Sequence, residues 1–140
     1  MTELAVRRAL RLMHKEWNNN QEQQYFHYAF IFRKNELIAF GKNNPEIPNK
    51  KVFDIAHKWD IEKFKHYPYL HAECAAIIKL KDINVRGLSL LSLRINKHGQ
   101  FRIAKPCPNC QKAIDSLGIK NVYWSITNEQ NNTLLVLNNQ

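Results

Sequence analysis

The sequence is poor in glycine, with 4 in 140 residues, and holds 5 prolines and 3 cysteines. No Gly/Pro-rich linker and no internal repeat is visible, which excludes collagen-like and low-complexity classes. Three is an odd number of cysteines, and Cys107 and Cys110 stand two residues apart. That spacing suits a metal or redox pair better than a disulfide framework, and it points to a reducing compartment. Long hydrophobic runs are missing: none approaches the roughly 20 residues of a bilayer span. The opening MTELAVRRALRLMHKEW is amphipathic rather than a continuous apolar leader. A soluble, cytoplasmic chain with no membrane partner is expected.

Acidic residues are also scarce, 12 against 21 Lys+Arg, for a net charge of +9. From Arg86 onward, Arg86, Arg94, Lys97, Arg102, Lys105, Lys112 and Lys120 face only Asp115 and Glu129. Such an excess fits a polyanionic partner, nucleic acid or nucleotide phosphate. A basic surface that merely keeps a small protein soluble has the same composition.

What remains is globular. Hydrophobic residues at 44% and charged residues at 24% imply a packed core, and 140 residues suffice for one domain over 1–140 but not for two independent cores. Val6, Leu10, Met13 and Trp17 recur at helical spacing. After a polar break at 18–24, YFHYAFIF (25–32) and ELIAFG (36–41) predict a β-hairpin around Arg33, Lys34 and Asn35. Residues 42–69, with Pro45, Pro48 and Pro68, read as a long connection holding at most a short helix at 52–64, and as the wall or lid of a site. HAECAAIIKL (71–80) predicts a buried helix and LSLLSLRI (88–95) a strand too apolar to face water on both sides. FRIA (101–104) follows a turn, and Pro108 and Gly118 bracket a helix with body CQKAIDSL. NVYWSIT (121–127) and TLLVL (133–137), joined by the short NEQNN, predict a closing antiparallel hairpin.

Two clusters carry chemistry: HAE at 71–73 and PCPNC at 106–110, each opening a predicted helix. One imidazole and two thiolates around Zn²⁺ leave a fourth position open, as catalytic zinc sites do. Glu73, two residues from His71, is placed to move a proton of the water that zinc acidifies. Cys74 projects from another face of the helix and reads as packing.

With HxE followed by PCxxC, the chain resembles the zinc-dependent cytidine deaminase superfamily. The order of elements extends the resemblance over nearly the whole chain, and small stand-alone phage and bacterial deaminases look most similar. It implies an α/β, three-layer α-β-α fold with a five-stranded mixed sheet ending in a C-terminal β-hairpin. It also implies hydrolytic deamination of cytosine to uracil: His71, Cys107 and Cys110 as Zn²⁺ ligands, and Glu73 as general acid and base. Asn43 in GKNNP matches the asparagine that touches the substrate sugar, and Ala72 the position whose backbone N–H receives a pyrimidine carbonyl.

The substrate stays open. The Asn-x-Glu-Asn stretch of free-cytidine deaminases is replaced by GKNNP, and the connection before HAE has His57 and His66 but no cysteine, unlike deoxycytidylate deaminases. The basic C-terminal part suits a backbone groove, and Trp59, Tyr67 and Tyr69 are placed to stack bases, although aromatics beside prolines also pack loops. Trp124 reads as core. Single-stranded DNA or RNA is therefore the leading substrate, with free deoxycytidine, cytidine or their monophosphates as the alternative. A zinc-stabilised nucleic-acid-binding module without turnover is the reading from another class.

Overall fold

The computed structural model describes residues 1–19, 26–81, 84–126 and 136–138, the last three as backbone. Helix α1 (Glu3–Asn19) is followed by a hairpin of β1 (Phe26–Arg33) and β2 (Glu36–Lys42). Lys34 supplies the positive φ of the turn, 54°. Next come β3 (Asn44–Pro48), α2 (Lys50–Lys58), α3 (Glu62–His66), β4 (Tyr69–Leu70) and α4 (Ala72–Ile77). The remainder is β5 (Leu88–Ile95), β6 (Phe101–Arg102), α5 (Pro108–Leu117), β7 (Asn121–Ser125) and β8 (Val136–Asn138).

The main sheet runs β2-β1-β5-β7-β8, with the short β6 also paired to β5. Its pairs are antiparallel except β5 with β7, which run parallel because α5 carries the chain across between them. The five strands of that path and the antiparallel β7–β8 pair are the mixed sheet and closing hairpin that the resemblance implies. The NEQNN turn and residues 133–135 lie outside the described residues.

Alternation along β1 sends Phe26, Tyr28, Phe30 and Phe32 to a cluster with α1, and Ala29 and Ile31 to a cluster with α2, α3, α4 and α5. Three layers result. On α1 the fully buried stripe is Ala5, Ala9 and Met13, with Leu10 and Trp17 packed at its edge. Small alanines let the helix lie close to the aromatic face of the sheet. β5 is buried along its length except at Arg94 and the half-buried Ser89, as its apolar sequence predicts.

Residues 42–69 are more ordered than the sequence reading allows. β3 and β4 form a separate two-stranded sheet, and the expected short helix is two helices. Asn49 caps the first, its side chain accepting from the Val52 N–H at 3.1 Å. Asp60 takes a φ of 54° between the helices, which a short polar side chain tolerates. The expected strand over 101–104 shortens to Phe101–Arg102. The chain then leaves β5, and the Ala104 N–H donates to the Ser125 carbonyl at 2.9 Å.

Gly41 on β2 sets the depth at which α4 sits. A Cβ there would lie 2.3 Å from the Ala76 nitrogen and 2.5 Å from the Ala72 carbonyl oxygen. Only hydrogen fits, so helix backbone meets strand directly.

Candidate active site and metal centre

His71 and Cys107 each occupy the extended residue just before a helix, α4 and α5 respectively. Their side chains are thereby aimed back over the helix starts, while Cys110 points in from the first turn of α5. The Nδ1 of His71 lies 3.3 Å from Cys110 Sγ and 3.8 Å from Cys107 Sγ, and the three donor atoms all fall within 4.8 Å of one another. A tetrahedral zinc with normal Zn–S and Zn–N lengths sets such an S···N edge at about 3.6 Å. One nitrogen and two sulfurs at these separations fit Zn²⁺ without rearrangement.

The surroundings hold each donor. Phe64 of α3 meets the His71 ring edge-on, with centroids 5.0 Å apart. The Cys110 backbone N–H donates to Cys107 Sγ at 3.4 Å. Ser125 Oγ donates to the Arg102 carbonyl at 2.8 Å and accepts from the Arg94 N–H at 3.1 Å, which pins the segment entering Cys107.

The hydrogen bond donated by the Cys110 thiol, and then the one donated by His71, hold the Cys107 thiol down to about 3 despite partial burial. Cys110 is pushed above the usual thiol range by donating to Cys107, by its contact with Cys74 and by burial. Its hydrogen bond with Cys107 holds His71 up. Without metal, the cluster therefore holds a thiolate on Cys107 beside a Cys110 thiol whose proton metal binding displaces.

Glu73, on the first turn of α4, is 1% exposed. His27 Nε2 approaches its Oε1 to 3.2 Å, but off the hydrogen-bonding axis, so Oε1 is a buried oxygen without a hydrogen-bond partner. Glu73, His71 and Cys107 line a pocket of about 280 Å³, walled by Asn43, Tyr69 and Arg94 among others.

Comparison with known families matches residues 2–126 to the cytidine and deoxycytidylate deaminase zinc-binding region. The chain belongs to this deaminase family. No curated protein matches it significantly. Zn²⁺ is the cofactor of such a deaminase, and the chemistry and spacing of the His71, Cys107 and Cys110 cluster fit it.

The deaminase fold brings most of the residues singled out in the sequence to one place. Asn43 lines the pocket with its carbonyl oxygen occupied, since Oδ1 accepts from the His27 N–H at 3.3 Å. Its amide hydrogens have no partner among the described residues. Tyr69 also lines the pocket, half-buried. Ala72 does not: its side chain is in the core, although its N–H, first in α4, has no partner within the helix. Cys74 is fully buried beside Cys110, as packing.

Trp59 and Tyr67 are not brought to the pocket. Trp59 packs on the core beneath Lys58, and Tyr67 is 62% exposed. Nor do the late basic residues form one groove. Arg94 and Lys105 line the zinc pocket, Arg86 and Lys120 line a separate hollow beside Gly118, and Lys112 Nζ donates to the Asp60 carbonyl. His27, Phe64, Gly41 and Ser125 escape the sequence reading. Their roles come from cross-strand register and helix packing, and no linear spacing marks them.

No helix among the described residues is long and apolar enough to cross a membrane.

Proposed function

We propose that this deaminase converts cytosine to uracil with Glu73 carrying the proton, and that its cytosine is presented on a phosphate backbone, in single-stranded DNA or RNA. The observation that carries the reading is the buried Glu73 carboxylate beside a zinc-fitting donor triangle inside a pocket. Zinc held by His71, Cys107 and Cys110 supplies a water acidified toward neutrality. Glu73 takes a proton from the attacking water and gives it to the ring nitrogen, then takes the remaining proton from the new C4 hydroxyl and gives it to the amino group, which leaves as ammonia as the C4 carbonyl forms. Asn43 donates to the sugar, the Ala72 N–H to the pyrimidine carbonyl, and Tyr69 packs against the ring.

Support for a phosphate-bearing substrate is the pair Arg94 and Lys105. Both are exposed and line the pocket, and neither forms an ion pair among the described residues. The pocket is at the small end of ligand sites, which suits one extruded nucleotide rather than a run of them. The deoxycytidylate monomer is the second reading, favoured by the family's description. The whole of 1–140 is taken as one deaminase domain.

The test is a uracil-release panel of zinc-loaded protein on deoxycytidine, cytidine, their monophosphates, single- and double-stranded DNA, and RNA. Release from single strands in preference to monomers is expected, with loss on chelation and in Glu73→Gln. Turnover of deoxycytidylate with oligonucleotides left intact overturns the polymer preference. Salt-dependent oligonucleotide binding with no uracil from any substrate overturns the enzyme reading in favour of a binding module.

A further inference from the structure

His27 is a largely buried titratable group in the pocket that the mechanism above does not use. It sits on β1 opposite Arg94 of β5, and its ring faces α4. Its Nε2 is 2.6 Å from Ser92 Oγ and 3.2 Å from Glu73 Oε1. Ser92 is 0% exposed and Glu73 1%, so this contact is closed to solvent on two of its three sides.

The protonation of the ring follows from its neighbours. Burial holds the imidazole below its ordinary range, with Arg94 and His71 lowering it further, against Glu73 and Cys107. A neutral ring has one N–H and one lone pair. Nε2 lies between two oxygens, and a lone pair there would face a carboxylate at 3.2 Å, so Nε2 carries the hydrogen. That hydrogen now points to Ser92. The distance to Oε1 is already within hydrogen-bonding range, and a small turn about the Cβ–Cγ bond shares it between Ser92 and Glu73.

We infer that His27 is a positioning residue for proton transfer: held by Ser92, it anchors Glu73 through Oε1 and leaves Oε2 to carry the mobile proton. The inference rests on the proposed role of Glu73. The proton taken from water resides on Oε2, passes to the ring nitrogen of the pyrimidine, and never enters the imidazole, which keeps its own hydrogen throughout. His27 thus freezes one rotamer of the carboxylate, so that its pickup and delivery positions stay fixed. The same residue aligns the sugar contact from its backbone, exchanging hydrogen bonds with Asn43 of 3.2 and 3.3 Å. Those backbone bonds survive side-chain substitution, which allows the two roles to be separated.

The experiment compares zinc-loaded wild type, His27→Phe, His27→Gln, Ser92→Ala and Glu73→Gln on a cytosine-containing single-stranded oligonucleotide and on deoxycytidylate, with zinc content measured for each. The expected result is a fall in kcat of about ten- to a hundredfold in His27→Phe, with KM within about twofold and zinc content unchanged. His27→Gln, whose amide can reach both oxygens, recovers most of kcat, and Ser92→Ala, which frees the ring, falls between wild type and His27→Phe. A raised KM with unchanged kcat in His27→Phe makes His27 a substrate contact and overturns the inference. So does an equal loss in His27→Phe and His27→Gln, which marks mere packing. Should His27→Phe not fold, the Ser92→Ala and His27→Gln pair decides by the same split. Full activity in Glu73→Gln overturns the underlying mechanism instead, and is told apart because it leaves the donor cluster and its zinc intact.

Discussion

On the α1 side of the sheet, β1 presents Phe26, Tyr28, Phe30 and Phe32, and Phe40 of β2 stacks near Tyr28 and Phe30 at centroid separations of 6.1 and 5.2 Å. On the α4 side the same two strands place Ala29, Ala39 and Gly41, beside the larger Ile31, against Ala72, Ala75 and Ala76 of the helix. Large rings fill volume and keep the helix on their side at the distance their bulk dictates. Small residues bring backbone to backbone, and the position of α4, hence of His71 and Glu73, is then fixed by main-chain contact rather than by rotamers. The aromatic face supplies stability and the small-residue face supplies precision.

Substitutions that treat the two faces alike break this comparison if it is wrong. Phe30→Ala removes a fully buried ring from the aromatic face and is expected to cost about 3–5 kcal/mol, read by denaturant unfolding. Zinc content and kcat of the folded fraction stay near wild type. Gly41→Ala adds one methyl on the other face and is expected to cost about 3 kcal/mol by forcing α4 away, yet it takes zinc content and activity with it. Equal damage to activity by the two would end the division of labour.

Much of this contrast is visible in the sequence and part of it is not. HAE and PCPNC mark the donors and Glu73 because ligand spacing is local. The alternation of β1 and β5 marks two buried faces because it has a period of two. His27 and Ser92 escape because their meeting depends on the register that places Ala29 opposite Ser92 and His27 opposite Arg94. The β3–β4 sheet escapes because all five residues of β3 are exposed and two are proline, which leaves no apolar alternation to read. Asn49 after Pro48 was the available signal for α2, a capping residue before a helix-forming run.

Smaller effects sharpen the picture. Cys107 is already a thiolate at neutral pH, with its pKa held to about 3, whereas Cys110 keeps its proton and His71 is held above its ordinary range. Zinc binding therefore releases protons, and its affinity is expected to strengthen as pH rises. Titration calorimetry in buffers of different ionisation enthalpy measures this, and a pH-independent affinity contradicts it.

Burial keeps the folded-state pKa of His27 below 6.5. Below that pH the unfolded chain takes up a proton that the folded chain refuses, so stability falls as pH drops from the unfolded value. His27→Gln is expected to flatten that part of the melting temperature against pH curve. Asn49→Ala, at the cap of α2, is expected to cost about 1 kcal/mol in thermal unfolding and to leave uracil release untouched, because α2 contributes no donor.

The little β3–β4 ribbon has a consequence of its own. Pro45 and Tyr69 reach the pocket from that ribbon, while His71, Cys107, Cys110 and Glu73 hang from the starts of α4 and α5. The wall that greets an incoming molecule and the apparatus that acts on it are thus separable parts. Substitutions confined to Pro45 and Tyr69 change which molecules are admitted and leave the reaction as it was, so selectivity in such a scaffold can be re-engineered at two positions far apart in the chain.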